Sequence, residues 1–191
     1  MASLRIRKLK AGDSTPKFSA VDMNGNKISL ETINARYILL VFLRYSGCPW
    51  CNLAIHRLTL EYPVFKEHDC EVIAFIQSEP AHVTENIYER HEIKPMFSII
   101  ADHEGRFYKS FGVTSSLTKA VRSITKIPEW VHSVKKHGFK QKSIDGNLFL
   151  VPASFMIDGR TKKIISTGYA KNFYDTETFV DLYQNVFFNE L

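Results

Sequence analysis

Apolar residues recur along this chain with two periods, and the alternation between them outlines the fold. Tyr37 to Leu43 is an unbroken apolar run rich in branched and aromatic residues, which predicts a central strand buried on both faces. Cys51, Ile55, Leu58, Tyr62 and Phe65 then fall at the 3.6-residue spacing of a helix, with Pro63 inside the pattern predicting a kink or an early stop. Glu71 to Ile76 is the next buried strand. Ser78 is placed to cap a helix from about Glu79 to Arg90, with Pro80 in its first turn. Met96 to Ile100 predicts a third strand, closed by Asp102-His103-Glu104-Gly105. Strand, helix, strand, helix, strand implies right-handed crossovers and a largely parallel sheet.

The flanks add antiparallel pieces. Phe18 to Val21 alternates and meets Asn24-Gly25, the strongest short hairpin signal, with Ile28 to Leu30 answering. Leu148 to Ile157 leads into a turn at Asp158-Gly159, and Lys163 to Tyr169 pairs back. Phe179, Leu182, Tyr183, Val186 and Phe187 form one apolar helical face behind a cap at Asp175. Residues 106–147 break the pattern and read as a helical insertion. Phe107 and Phe111 fit a short helix stopped by Gly112, and Leu117, Ala120, Val121, Ile124 and Ile127 fit a second ended by Pro128. Trp130 reads as a packing residue.

At 191 residues the chain suits one domain, 1–191, with a substantial core. Its 45% hydrophobic and 24% charged residues are those of an ordinary globular protein, and no apolar run has the length of a membrane span. Met1 to Lys10 holds four basic residues with no apolar core behind them, so no secretory signal is expected. Three cysteines suit a reducing compartment, and a cytoplasmic location is expected. The net charge of +5 is uneven: Lys119 to Lys142 carries seven Lys or Arg and one acid, Glu129. A solvated face explains that surplus, as does docking of an acidic redox partner or an anionic substrate. No recognition motif points to nucleic acid.

Cys48-Pro49-Trp50-Cys51 stands between the central strand and its helix. The first N–H groups of a helix lack partners and carry positive potential, which favours a thiolate there. In such motifs the thiol pKa drops from about 8.5 toward roughly 3.5–7.5. Pro49 suits the first helical turn, where its missing N–H costs nothing. Cys48, leading the turn, is expected to be the more exposed thiol. A structural zinc site needs a second pair of ligands; Cys70 is the only other cysteine and is expected to be buried and inert at a strand start. Redox chemistry remains, and it requires no cofactor or metal.

Gly12-Asp13-x-x-Pro16-x-Phe18, the apolar strand, the cysteine pair, and Pro152-Ala-Ser-Phe155-Met-Ile-Asp158 together resemble the thioredoxin-like superfamily. Within it they are most similar to the peroxiredoxin-like branch, the alkyl hydroperoxide reductase/thiol-specific antioxidant family. The resemblance implies an α/β thioredoxin fold: a central mixed sheet flanked by helices, with an N-terminal hairpin and the helical insertion. It implies a cis Pro152 facing the dithiol and helping to hold substrate. It also implies a cycle in which Cys48 attacks, Cys51 resolves the adduct as a Cys48–Cys51 disulfide, and a thioredoxin-type or small-thiol donor restores the dithiol; a homodimer is compatible with it. The chain departs from the peroxiredoxin pattern Pro-x-x-x-Thr/Ser-x-x-Cys. Counting back from Cys51 puts Cys48 in the Thr/Ser place and Arg44 in the Pro place, whereas counting from Cys48 puts Tyr45 and Val41 there. The family's late Arg position is Pro152 itself.

Arg44, ending the central strand, is placed to favour the thiolate and a developing oxyanion, or else to be a surface charge. Tyr45 and Ser46 are local donors, Trp50 sits between the sulfurs, and His56 reads as structural. The oxidant is a hydroperoxide on the family's pattern, or a protein disulfide on the intact Cys-x-x-Cys and Pro152. Two rivals come from other classes. One is a copper-delivery protein whose third ligand is His132 or His137; the other is an adaptor acting through its basic insertion.

Overall fold

The computed structural model describes residues 7–115, 138–172 and 175–188. In chain order the elements are β1 (Ser19–Val21), β2 (Lys27–Ser29), β3 (Tyr37–Leu43), α1 (Pro49–Glu67), β4 (Cys70–Ile76), α2 (Pro80–Val83), a π-helical turn (Thr84–Tyr88), β5 (Ser98–Ala101), α3 (Arg106–Ser110), β6 (Ala153–Asp158), β7 (Ile164–Tyr169) and α4 (Phe179–Phe188). Among the described residues, five strands make one mixed sheet in the order β5-β4-β3-β6-β7. β3, β4 and β5 run parallel, and β6 and β7 run antiparallel. This is a thioredoxin-like fold with an N-terminal antiparallel hairpin.

The apolar run of β3 is continuous because both sides of the sheet are covered. Leu39, Val41 and Leu43 point into a core shared with Leu58 and Phe65 of α1 and Phe179 and Leu182 of α4. Ile38, Leu40 and Phe42 point the other way, toward Phe18 and Leu30 of the hairpin region and Tyr108 of α3. On that face the Phe42 ring stacks on Phe75 with centroids 4.5 Å apart and meets Tyr108 and Phe155 edge-on. Truncating so enclosed an aromatic ring costs about 3–5 kcal/mol.

The hairpin forms as its Asn-Gly turn predicts, with Gly25 at φ 85°. Asp22 fixes that turn, its Oδ1 accepting from the Asn24 and Asn26 amides. Gly112, at φ 67°, ends α3 as expected.

Three expectations need correction. Of the kink or early stop expected near Pro63, the early stop does not occur: α1 runs on to Glu67, because Phe65 beyond the proline is held in the core and offsets the lost backbone bond. The helix expected over 79–90 is a four-residue α-turn followed by a π-turn, and Ser78 does not cap it; its hydroxyl is used elsewhere, as described below. α4 starts at Phe179, four residues beyond Asp175, whose carboxylate accepts from the Lys171 amide instead of capping. The second insertion helix, Trp130, His132 and His137 lie outside the described residues, as does most of the basic run.

The topology gathers three chain segments at one end of the sheet. β3 and β4 are parallel, so residues 44–48 and 77–79 leave at the same edge. β6 is antiparallel to β3, so its entry at Pro152 arrives at that edge as well, one step beyond the Phe42–Ala153 pair.

Candidate active site

Cys48 is the N-cap residue of α1, in extended backbone (φ −74°, ψ 124°) where the strand-end loop turns into the helix. Its Sγ accepts from the Cys51 amide at 3.4 Å, as a capping oxygen does at other helices. Arg44 folds back from the end of β3 and its Nη2 donates to the same sulfur at 3.0 Å. The guanidinium is buried, donates through Nη1 to the Leu148 carbonyl, and lies 5.5 and 5.9 Å from the ring centroids of Tyr45 and Trp50. Arg44 is therefore not a surface charge. It is the cation of the site.

The electrostatics follow from that contact. Burial pushes the Cys48 thiol up, but the hydrogen bond from the Cys51 thiol, the charge of Arg44 and the Cys51 amide together outweigh it and bring the pKa down to about 6. Cys51 moves the other way. Burial, its hydrogen bond to Cys48 and the negative charge on that sulfur push its pKa well above the usual thiol value. For Arg44, burial favours the neutral form, and attraction to Cys48 more than offsets it, so the pKa is raised. Tyr45 is pushed up to about 12, by burial first and by Cys48 second, and its hydroxyl donates to Gln141 Oε1 at 3.3 Å.

The expectation of an exposed Cys48 is overturned: Cys48 is 0% and Cys51 1% accessible. The physical reason lies about a hundred residues away. Residues 138–148 lie across the strand-end loop as a strap, tied by the Lys142 amide to the Gly47 carbonyl, Gln141 to Tyr45, Asn147 to Gln77, and Leu148 to Arg44. Contact is so close that a Cβ on Gly47 would run into the Ser143 carbonyl oxygen, and one on Gly146 into that of Gln77. All three cysteines are free thiols. Cys70 is buried at the start of β4 with its pKa raised by burial, as expected.

A buried polar network behind the dithiol escaped the sequence reading. Asn52 Nδ2 donates to the carbonyls of Ser46 (2.6 Å) and Cys48 (3.0 Å), which leaves its Oδ1 to accept from His91 Nε2 at 2.9 Å. Burial, then the nearby His56, Arg90 and Lys94, lower the His91 pKa to about 4, so the ring is neutral with its proton on Nε2. Ser78 accepts from the Ser46 amide at 2.8 Å and donates to Asp145 of the strap, whose other oxygen lies 2.8 Å from His82 Nδ1. The available signal was Asn52 itself, a polar residue directly after Cys51 near the start of an apolar helical face.

The remaining expected residues fall as follows. Pro49 is the first residue of α1, and Trp50 is half-buried with its carbonyl accepting from Thr176 Oγ1 at 2.9 Å. Pro152 is buried at the entry to β6, but no cis peptide bond occurs among the described residues, so the implied cis Pro152 is corrected to trans, the form an X–Pro bond favours by about 0.5–1 kcal/mol. No group of three or more metal-ligating side chains occurs among the described residues. No described helix is long and apolar enough to cross a membrane.

A family model described as the AhpC/TSA family matches residues 11–164. The chain is 29% identical over 108 residues to the thiol-disulfide oxidoreductase ResA of Bacillus thuringiensis subsp. konkukian, covering 56% of this chain and 60% of that one. It is 25% identical over 108 residues to peroxiredoxin Bcp of Escherichia coli K12, covering 56% and 67%. The match thus spans about three-fifths of the ResA protein's length. Among solved structures, the thiol peroxidase of Chromobacterium violaceum superposes with a TM-score of 0.64 at 18% identity, over 97% of this chain and 90% of that one. Peroxidoxin BcpB of Mycobacterium tuberculosis superposes with 0.63 at 15% identity, over 88% and 91%. These two likenesses speak to the fold.

Proposed function

Since the chain belongs to the AhpC/TSA family, we propose that it is a thiol peroxidase whose nucleophile is Cys48 and whose resolving thiol is Cys51. The observation that carries this reading is the 3.0 Å contact from Arg44 Nη2 to Cys48 Sγ. A fixed buried cation on the sulfur keeps it as thiolate, and the same cation is in place for negative charge developing on the departing peroxide oxygen. Arg44 thereby takes up the polarising role for which the family's usual hydroxyl and late arginine positions hold other residues here.

The thiolate attacks the terminal peroxide oxygen; the O–O bond breaks, giving Cys48 sulfenic acid and an alkoxide or hydroxide, which takes up a proton from the medium to leave as alcohol or water. Cys51 then attacks the Cys48 sulfur, forming the Cys48–Cys51 disulfide and releasing water. Two thiol equivalents from a thioredoxin-type or small-thiol donor return the dithiol. Burial of both sulfurs under the strap supports a small oxidant. The likeness to ResA, named a thiol-disulfide oxidoreductase, favours protein disulfide exchange instead.

Stopped-flow mixing of the reduced protein with hydrogen peroxide, followed through Trp50 fluorescence, separates the two readings. Oxidation far faster than that of free cysteine, lost in Cys48→Ser, is expected. A rate no better than free cysteine, with rapid oxidation by a protein disulfide, would replace peroxidase by disulfide exchange.

A further inference from the structure

His91 is a buried titratable side chain with no place in the redox cycle, yet only one side chain separates it from the backbone of the nucleophile. Its Nε2 lies 2.9 Å from Asn52 Oδ1, while Asn52 Nδ2 lies 2.6 Å from the Ser46 carbonyl oxygen and 3.0 Å from that of Cys48. A carboxamide offers two N–H donors on one side and an accepting oxygen on the other. Two carbonyl oxygens can be met only by its donor side. The opposite side is therefore oxygen, and His91 Nε2 carries the proton that this oxygen accepts. Neither ring nor carboxamide is free to turn. Asn52 is 0% and His91 3% accessible, and the His91 ring is stacked on Phe139 with centroids 4.8 Å apart. Arg90 lies over the same Phe139 ring and donates to the Lys140 carbonyl at 2.8 Å. The near end of the strap thus fixes the plane of the His91 ring.

What the carboxamide grips is the loop that presents the sulfur. Ser46 and Cys48 flank Gly47, the residue type with the greatest backbone freedom, so this turn needs an outside hold. Ser46 is also tied through its amide to Ser78 and through its hydroxyl to Asn86. The place of Cys48 Sγ is set by its own backbone, and from there it meets Arg44 Nη2 at 3.0 Å and the Cys51 amide at 3.4 Å. A backbone that drifts at Cys48 lengthens or tilts both contacts at once.

We propose that the Asn52–His91 pair positions the nucleophile. His91 orients the Asn52 carboxamide, the carboxamide fixes the carbonyls on either side of Gly47, and Cys48 Sγ is thereby held against Arg44 and the Cys51 amide. Both act through the backbone of Cys48 and are positioning residues. A displacement of the order of an ångström from a residue remote from the chemistry can cost about 10²-fold in rate, so a hold of this kind has a kinetic effect as well as a structural one. The inference rests on Cys48 as the attacking thiol and holds for a peroxide or a disulfide oxidant alike.

The test removes the donor and then restores it. His91→Phe keeps a ring against Phe139 and deletes the N–H, whereas His91→Gln offers an amide N–H at a similar reach. Cys48 is titrated by thiolate absorbance near 240 nm, with Cys48→Ser as the blank. Its oxidation by hydrogen peroxide is timed and divided by the thiolate fraction. His91→Phe is expected to raise the titration midpoint by about half a unit or more and to slow oxidation about tenfold per thiolate, because the contacts of the sulfur and its aim are lost together. His91→Gln is expected to recover most of both. Should His91→Phe alone fail to fold, Asn52→Leu combined with His91→Phe keeps the space filled, strands no polar group within the pair, and is expected to show the same two losses. A folded variant without the donor that keeps the midpoint and rate of the unmodified protein overturns the positioning role, as does a His91→Gln no better than His91→Phe. The titration needs no oxidant, so its outcome is separate from the peroxidase reading, which fails if the unmodified protein reacts with hydrogen peroxide no faster than free cysteine.

Discussion

Replacing Arg44 by methionine isolates the cation. The unbranched apolar side chain, though shorter, fills much of the same buried space, and a buried ion replaced by a well-packed apolar group is often tolerated. What is lost is the charge-assisted bond from Nη2 to Cys48 Sγ. Such bonds are worth about 1.5–3 kcal/mol, which corresponds to roughly one to two pKa units. Starting from about 6, the Cys48 pKa is expected to rise to between roughly 7 and 8. At neutral pH the thiolate fraction then falls from about nine-tenths to between about a tenth and a half. Absorbance of the thiolate near 240 nm against pH reads this directly, with Cys48→Ser as the blank. Peroxide oxidation is expected to fall further, by up to ~10²-fold per thiolate, because stabilisation of the leaving oxygen goes with the cation. Arg44→Lys keeps a charge without the planar fork and is expected to lie between the two. An unshifted titration in Arg44→Met, with the protein folded, would refute the assignment of Arg44 as the thiolate's counter-ion.

Other consequences concern the network behind the sulfurs and the strap in front. Asn52→Ala removes the donors to the Ser46 and Cys48 carbonyls and strands the His91 N–H, and a loss of about 2–4 kcal/mol in urea unfolding is expected; a loss below ~1 kcal/mol contradicts the network's role. The folded pKa of His91, about 4, lies below its ordinary 6.5, so the unfolded chain takes up the proton first. Stability is therefore fully present above about pH 6.5 and is lost as pH falls to about 4, on the order of 3 kcal/mol from this residue. His91→Gln is expected to flatten that slope, and an unchanged slope means another group carries it. Gly146→Ala places a methyl against the Gln77 carbonyl and the Tyr45 side chain, so the strap has to lift. Reaction of Cys48 with a bulky disulfide reagent is expected to accelerate several-fold, and no change would show that the strap is not what shields the sulfurs.

Local patterns carried a good part of this protein. The unbroken apolar run 37–43 required a strand covered on both faces, Asn24-Gly25 required a hairpin, and the spacing from Cys51 to Phe65 required a helix, because each signal rests on the residue's own backbone or its immediate neighbours. A thiol pair at a strand-to-helix turn is likewise a local fact, and the low pKa of Cys48 is partly a consequence of being the helix cap. Arg44 was legible as a candidate because it is only four residues from Cys48, but its inward direction was not. What the tertiary structure alone decided is everything that closes over the sulfurs. Leu148 meets Arg44 across 104 residues, Asp145 meets Ser78 across 67, and His91 meets Asn52 across 39. No periodicity encodes such pairings. They arise because parallel β3 and β4 and antiparallel β6 deliver their loops to one edge of the sheet, where buried polar groups have to find partners or carry the full cost of desolvation. The same competition moved Ser78 from a helix cap to the loop, and core packing around Phe65 carried α1 past Pro63. Chemistry lay in the sequence; access to it, and the charge that governs it, came from the fold.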